Sequence, residues 1–134
     1  MSKHPTLYLI RGLPGSGKTT MARGLHAGRA VEAHHEADHF FDELGKFAPE
    51  LLRSAHQQCL TRTLRDLGEG LSVVVANTFT QRWEIQPYIK AAHYLGIDYE
   101  ILIATGNYRS VNNVSDEVIA RMRKRWEDDV DVSK

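Results

Sequence analysis

The stretch Thr6–Thr20, TLYLIRGLPGSGKTT, decides the fold of this chain. An apolar run, Leu7–Ile10, leads into a glycine-rich turn that ends on a lysine and two threonines, and a helical pattern follows. The segment Gly12–Thr19 fits G-x-x-x-x-G-K-[ST], the phosphate-binding loop, and has the strand before it and the helix after it that the motif requires. The sequence therefore predicts an α/β protein that binds the phosphates of a nucleotide.

Each residue type in this loop has a physical role. Backbone N–H groups that turn inward form a concave anion site, and glycine permits both that backbone path and the close approach of phosphate. The following helix adds the positive end of its dipole. Lys18 can reach the β- and γ-phosphates, and the Thr19 hydroxyl can ligate a bridging Mg²⁺. The predicted nucleotide-binding residues of the loop are Gly12, Leu13, Pro14, Gly15, Ser16, Gly17, Lys18, Thr19 and Thr20.

Bulk composition narrows the class of protein. At 134 residues with 42% hydrophobic content, the chain is expected to form one domain, residues 1–134, around a single core. Lysine plus arginine and aspartate plus glutamate both total 17, so there is no global basic field to hold a long duplex. The apolar runs are too short for a membrane span and the first residues, MSKHPT, contain no signal-peptide region, which predicts a cytoplasmic protein. The single cysteine, Cys59, cannot form an internal disulfide.

Alternating strand and helix patterns follow the loop. Strands are predicted over 30–38, 71–76 and 97–103, and helices over 19–28, 49–67, 81–95 and 114–128. The run LSVVVA at 71–76 is typical of a strand buried on both faces of a parallel sheet. Pro87 predicts a kink in the helix over 81–95 or a start partway along it, and Ser115 is suited to cap the last helix.

Two carboxylates, Glu36 and Asp38, stand at the end of the second predicted strand. Ligands bind at the carboxyl ends of parallel strands, so Asp38 is expected to face the γ-phosphate. There it can accept the proton of an acceptor hydroxyl or hold Mg²⁺ through water. Alternatively, Asp38 caps the turn over 40–44. Glu36 is interpreted as a solvated residue at the edge of the sheet.

Three histidines, His34, His35 and His39, surround these carboxylates. Their spacing distributes them over both faces of a strand and its exit. Metal ligands must converge on one point, so this spacing disfavours a metal site.

The strand over 71–76 ends in Asn77 and Thr78 instead of a carboxylate. Nucleotide-driven motors usually hold magnesium with an acidic residue at this position, so its absence argues against a hydrolytic motor. Asn77 and Thr78 are suited either to orient a substrate or metal-bound water, or simply to lead into the next helix.

The polar loop over 104–113 has Arg109 near its middle. A loop of this composition beside a phosphate site can act as a lid, and Arg109 could then stabilise the charge of the transferring phosphoryl group. The alternative is an ordinary surface arginine. In the last helix, Arg121 or Arg125 is available to stack on the nucleotide base.

Several ordered stretches resemble the polynucleotide-kinase-like P-loop family, which contains the bacteriophage 5′-hydroxyl polynucleotide kinase and small ATPases similar to the NEDD4-binding-protein-2 group. The matching stretches are IRGLPGSGKTTMAR, EADHFF, AHQQC, VVVANTFTQRWEIQPY and NNVSDEVIARMRKRWE. The resemblance implies a parallel sheet of about four strands in the order 2-3-1-4, flanked by helices. It also implies ATP as the nucleotide, Asp38 as a general base and Arg109 as a phosphate clamp.

The leading hypothesis is an ATP- and Mg²⁺-dependent kinase that transfers the γ-phosphoryl group to a hydroxyl, most favourably the 5′ end of a nucleic acid. The predicted catalytic residues are Lys18, Asp38 and Arg109, and the predicted metal-binding residues are Thr19 and Asp38. A kinase for a nucleoside, sugar or other metabolite is the first alternative, which the neutral net charge favours. The second is a regulatory module that binds a nucleotide without transferring phosphate, which the missing carboxylate near Asn77 favours.

Overall fold

The computed structural model describes residues 4–108 and 114–131, in which four strands alternate with five α-helices. The strands are β1 (Thr6–Arg11), β2 (Ala33–His35), β3 (Val73–Asn77) and β4 (Asp98–Ile103). The helices are α1 (Lys18–Ala27), α2 (Asp38–Leu44), α3 (Leu52–Gly68), α4 (Arg82–Leu95) and α5 (Asp116–Lys124). A 3-10 turn, Pro49–Leu51, leads into α3. Within this part of the chain, no helix is both long and apolar enough to cross a membrane.

The strands form one parallel sheet in the order β2-β3-β1-β4, which confirms the predicted fold class and strand order. The last residues of the two central strands, Arg11 and Asn77, are paired in register. The carboxyl ends of all four strands therefore meet at one edge, the edge at which open parallel sheets bind ligands.

Side chains of β1 alternate between two apolar layers, one on each face of the sheet. Leu7 and Leu9 pack with Ile85 and Ile89 of α4, whereas Ile10 packs in the other layer, which includes α1. Because β3 is buried along its whole length, its continuous β-branched sequence matches its position inside the sheet. The two layers fix α1 and α4 on opposite faces and leave the carboxyl edge open.

Several predicted boundaries differ from the structure, and the segment Asp38–Leu44, predicted in part as a turn, is the helix α2. β2 covers only Ala33–His35, because the N–H of Ala37 donates to the Asn77 side chain instead of continuing the strand ladder. α5 ends at Lys124, four residues before the predicted end, because the chain then turns back toward β1. Pro87 lies inside α4 without ending it, and this helix starts at Arg82 behind a capping box.

Arg11, the last residue of β1, connects the segment after α5 to the sheet, a role that its position in the sequence did not suggest. Its side chain is completely buried, and its guanidinium lies 3.8 Å from the centre of the Trp126 ring. Its three nitrogens donate to the carbonyl oxygens of Phe79, Thr80 and Asp128 at 3.0, 3.3 and 3.3 Å. Burial lowers the pKa of Arg11, and the nearby carboxylates, Asp128 first, oppose this.

We predict that Arg11→Met lowers the free energy of unfolding by about 2–4 kcal/mol, because three carbonyls lose their charged donor while the sheet stays apolar around them. Urea-induced unfolding measures the change. Arg53→Met, on the exposed face of α3, is the matched control and is expected to stay within about 0.5 kcal/mol of the original protein. Equal effects of the two substitutions would contradict the role assigned to Arg11.

Candidate active site

The phosphate loop follows β1 with the backbone geometry that its glycines were predicted to permit. Gly15 and Gly17 adopt φ values of 82° and 91°, in the left-handed region that side chains other than glycine rarely occupy. A Cβ on Gly12 would lie 2.3 Å from Ser16 Oγ and 3.1 Å from the carbonyl oxygen of Ala104. Glycine at these positions therefore keeps the turn closed and its concave side clear.

The start of α1 offers donors that fit a phosphate. Its N-cap, Gly17, supplies no side-chain cap, so the first N–H groups of the helix lack a side-chain acceptor. Ser16 Oγ is buried and has no hydrogen-bond partner among the described residues. Buried donors without a partner are costly unless a ligand satisfies them, and the positive end of the helix dipole favours an anion. The chemistry of this loop therefore fits the phosphates of a nucleotide.

Lys18 and Asp38 lie close enough to influence each other's protonation. Burial lowers the pKa of Lys18, while Glu36 and Asp38 raise it. The pKa of Asp38 is raised from 3.8, first by loss of surrounding water and then by Glu36, while Lys18 opposes the shift. Asp38 is the first residue of α2 and Ala37 occupies the N-cap position, so Asp38 is not the cap that the alternative interpretation required. The structure therefore brings Lys18 and Asp38 to one site.

Glu36 belongs to the same site, and its interpretation as a solvated edge residue was wrong. Its side chain is only 6% exposed, and its Oε1 accepts a hydrogen bond of 3.0 Å from the Thr19 hydroxyl. The end of β3 lacks a carboxylate that could lie beside the phosphate-loop threonine. Here it comes from the exit of β2 instead, and only its spacing two residues before Asp38 could have suggested it.

Asn77 braces this carboxylate-bearing segment. It is the last residue of β3 and is buried, and its Oδ1 accepts the N–H of Ala37 at 2.9 Å. Its Nδ2 donates to Cys59 Sγ at 3.7 Å, and burial raises the pKa of that thiol. Asn77 therefore holds the chain between Glu36 and Asp38 in place, a role that neither of its two earlier interpretations included.

Two of the three histidines, His34 and His39, lie near each other beside Glu36. His34 Nε2 lies 2.6 Å from Glu36 Oε2, and the rings of His34 and His39 are 5.2 Å apart. His35 alone lies on the opposite face, where its Nε2 is 2.6 Å from Asp66 Oδ2. His34 and His35 lie on opposite faces of β2, as their spacing predicts, but His39 approaches His34 because α2 begins soon after β2.

The loop after β4 is fixed to the phosphate loop by two backbone hydrogen bonds. The N–H of Gly106 donates to the carbonyl oxygen of Ser16 at 2.9 Å, and the N–H of Tyr108 donates to the carbonyl oxygen of Gly15 at 2.7 Å. The Tyr108 ring would lie 3.2 Å from a Cβ placed on Gly17. Arg109, the predicted lid residue, lies outside the described residues.

A cleft of about 1180 Å³ separates this loop from α5. The residues that line it include Leu13, Pro14, Ser16, Tyr108, Arg123 and Trp126. Neither Arg121 nor Arg125 is among them, and Arg125 Nε instead donates to Thr80 Oγ1 at 3.1 Å. Of these three arginines, only Arg123 lines the cleft.

A phosphate loop on a parallel 2-3-1-4 sheet, with carboxylates at the same edge, defines a P-loop protein of the kinase-like type. The family model described as an AAA domain matches residues 7–128. The chain belongs to this family, and the resemblance to polynucleotide-kinase-like P-loop proteins is confirmed.

Human NEDD4-binding protein 2 is 29% identical over 135 aligned positions, which include 90% of this chain. The chain corresponds to only 8% of the length of that protein.

Solved structures share the fold at low identity. A putative kinase from Chloroflexus aurantiacus superposes with a TM-score of 0.64 at 20% identity, covering 78% of this chain and 61% of that one. A chain of the Pnkp1/Rnl/Hen1 RNA repair complex gives 0.64 at 18% identity, covering 93% of this chain and 39% of that one. The APS kinase of Mycobacterium tuberculosis superposes with a TM-score of 0.61 at 15% identity, covering 92% of this chain and 98% of that one. At these identities the comparison establishes the fold and leaves the substrate open.

Proposed function

We propose that this protein is an ATP- and Mg²⁺-dependent kinase that transfers the γ-phosphoryl group to a hydroxyl, with the 5′-hydroxyl of a nucleic acid as the preferred acceptor. The observation that carries the proposal is the meeting of four side chains at the carboxyl edge of the sheet. These are Lys18, Thr19, Glu36 and Asp38. Phosphoryl transfer depends mainly on position and charge stabilisation, which such a group can supply.

The donor half of the proposed site is the phosphate loop. The N–H groups of Gly12–Thr20 would hold the phosphates, and Lys18 would contact the β- and γ-phosphates. Thr19 would ligate Mg²⁺, which supplies charge neutralisation between the phosphates when bound. Glu36 would orient the Thr19 hydroxyl and hold water on the ion, as carboxylates next to metal ligands do.

The acceptor half is centred on Asp38. The acceptor oxygen forms a bond to the γ-phosphorus, the bond from that phosphorus to the bridging oxygen breaks, and ADP leaves with the bridging electrons. The proton of the acceptor hydroxyl moves to the Asp38 carboxylate. A general base works best when its pKa approaches the working pH, and the pKa of Asp38 is already raised in that direction. Arg109 remains proposed as the clamp that would cover the phosphates.

Aromatic side chains next to Asp38 favour an acceptor that carries a base. Phe40 and Phe41 follow Asp38 on α2, and Phe47 packs on Phe41 with ring centres 4.9 Å apart. Phe47 is 63% exposed, so its ring is available to a ligand. Protein aromatic rings commonly stack on the bases of single-stranded nucleic acid without regard to sequence.

We predict that Asp38→Asn lowers phosphoryl transfer at least about 100-fold while ATP affinity stays nearly the same, because only the proton acceptor is lost. The assay follows labelled phosphate from ATP to a 5′-hydroxyl oligonucleotide. In the original protein, the acid limb of the pH profile should lie above the ordinary aspartate value of 3.8, since the pKa of Asp38 is raised and transfer needs the carboxylate.

Asp98→Asn, at the exposed start of β4 and therefore at the opposite edge of the sheet, is the matched control and should keep normal transfer. Full activity of the Asp38→Asn protein would show that another group accepts the proton.

We predict that Glu36→Gln raises the Mg²⁺ concentration needed for half-maximal transfer at least about tenfold, because the amide can still accept from Thr19 but carries no charge. A Mg²⁺ titration at saturating ATP measures this, with Glu50→Gln on the exposed 3-10 turn as control. An unchanged Mg²⁺ requirement would remove Glu36 from the proposed metal site.

The Michaelis constant for the acceptor, measured at increasing salt concentrations, distinguishes the nucleic-acid kinase from the small-molecule alternative that the zero net charge favours. Binding of a strand end through several phosphates should weaken steeply as salt rises, whereas binding of a neutral nucleoside or sugar should not. Lys18→Ala serves as the inactive control. If the original protein binds ATP and labels none of the acceptors, the non-catalytic alternative is favoured instead.

A further inference from the structure

Three potential metal ligands converge beside the proposed phosphoryl-transfer site. A ring nitrogen of His34, a carboxylate oxygen of Glu36 and a ring nitrogen of His39 all lie within 4.8 Å of one another. The shortest separation is 2.6 Å, between His34 Nε2 and Glu36 Oε2. A single ion could contact all three groups after small side-chain movements.

The backbone fixes these three residues relative to one another. Residues two apart on an extended chain point to the same face, which brings His34 and Glu36 together and sends His35 to the other side. The N–H of His39 donates to the carbonyl oxygen of Glu36 at 3.2 Å, which ties the first turn of α2 to the exit of β2. The cluster therefore rests on a strand, a helix and the bond between them instead of on a free loop.

The carboxylate of the cluster, Glu36, is oriented by a residue that is not one of the three potential ligands. Glu36 uses Oε1 to accept from the Thr19 hydroxyl and directs Oε2 toward His34. Metal-binding carboxylates are commonly oriented by hydrogen bonds of this kind. The neighbouring charges of Lys18 and Asp38 are opposite in sign, so they offset each other around Glu36.

We propose that His34, Glu36 and His39 bind a divalent transition-metal ion of the zinc class, at a site that adjoins the Mg²⁺ position on Thr19 and shares Glu36 with it, Oε2 facing His34 and Oε1 facing Thr19. Two imidazoles and one carboxylate match the nitrogen and oxygen ligands of Zn²⁺, whereas Mg²⁺ prefers oxygen ligands alone. With metal–ligand bonds of about 2.0–2.1 Å in tetrahedral geometry, ligand atoms lie about 3.3 Å apart. His34 and Glu36 would therefore open from 2.6 Å, and the His39 nitrogen, already within 4.8 Å of both, would adjust to the same spacing. Water would complete the coordination.

The test is a titration of the untagged full chain with Co²⁺, and then with Zn²⁺ in competition, in the absence of nucleotide. The visible absorption of Co²⁺ should show one equivalent bound in tetrahedral geometry, and Zn²⁺ should displace it. Because neither ATP nor an acceptor is present, failure here and failure of the proposed kinase activity are distinguishable.

His34→Ala and His39→Ala should each lower Co²⁺ affinity at least about tenfold. His35→Gln, the adjacent histidine on the opposite face, and His56→Ala, on the exposed side of α3, are the controls and should bind like the original protein. Zn²⁺ should also raise the melting temperature of the original protein, and the rise should be absent in His39→Gln, which preserves side-chain volume better than alanine.

Either of two results would overturn the proposal. One is the lack of stoichiometric Co²⁺ binding by the original protein. The other is equal affinity in the His34, His39 and His35 variants, which would place the ion elsewhere. Circular dichroism of each variant verifies that it is folded, and the melting-temperature comparison of His39→Gln applies even if His34→Ala does not fold.

Discussion

The hydrogen bond from Thr19 to Glu36 joins the two halves of the proposed site. Thr19 lies on α1 after β1, and Glu36 lies at the exit of β2, yet β3 separates these strands in the sheet. The contact is possible only because parallel strands present their carboxyl ends at one edge. Asn77, at the end of β3, bridges the gap by holding Ala37. The phosphate loop and the carboxylates are therefore positioned by the same three strands.

The contacts of Arg11 constrain a second region, the segment that follows α5. A buried arginine is tolerated because three carbonyls and an aromatic face receive its charge. Those contacts hold the segment that follows α5 against the end of β1. In this position Trp126 lines the cleft beside the phosphate loop. The position of this wall thus depends on Arg11.

The sequence predicted the phosphate loop and the parallel sheet because both follow from local patterns: a motif that requires strand, loop and helix, and a β-branched run that requires burial. The strand order came from family resemblance. Glu36 and the His34–His39 pair could not be predicted, since their burial depends on Thr19 and on the direction in which α2 leaves β2. The contact of Arg125 with Thr80 could not be predicted either, since it depends on how the chain turns after α5 ends at Lys124.

The position of Glu36 also changes how the missing carboxylate of β3 should be interpreted. The absence of a carboxylate at the end of β3 was taken to disfavour hydrolysis. Because Glu36 places a carboxylate beside Thr19 from the neighbouring strand, that absence does not distinguish a hydrolase from a kinase. The two carboxylates differ in accessibility. Glu36 is buried and bonded to Thr19, whereas Asp38, two residues away at the start of α2, is accessible from solvent even though the protein around it displaces enough water to raise its pKa. A buried carboxylate suits a fixed ion, and one that an incoming hydroxyl can reach suits proton transfer. In the proposed kinase, Glu36 would therefore serve the ion side of the site and Asp38 the acceptor side.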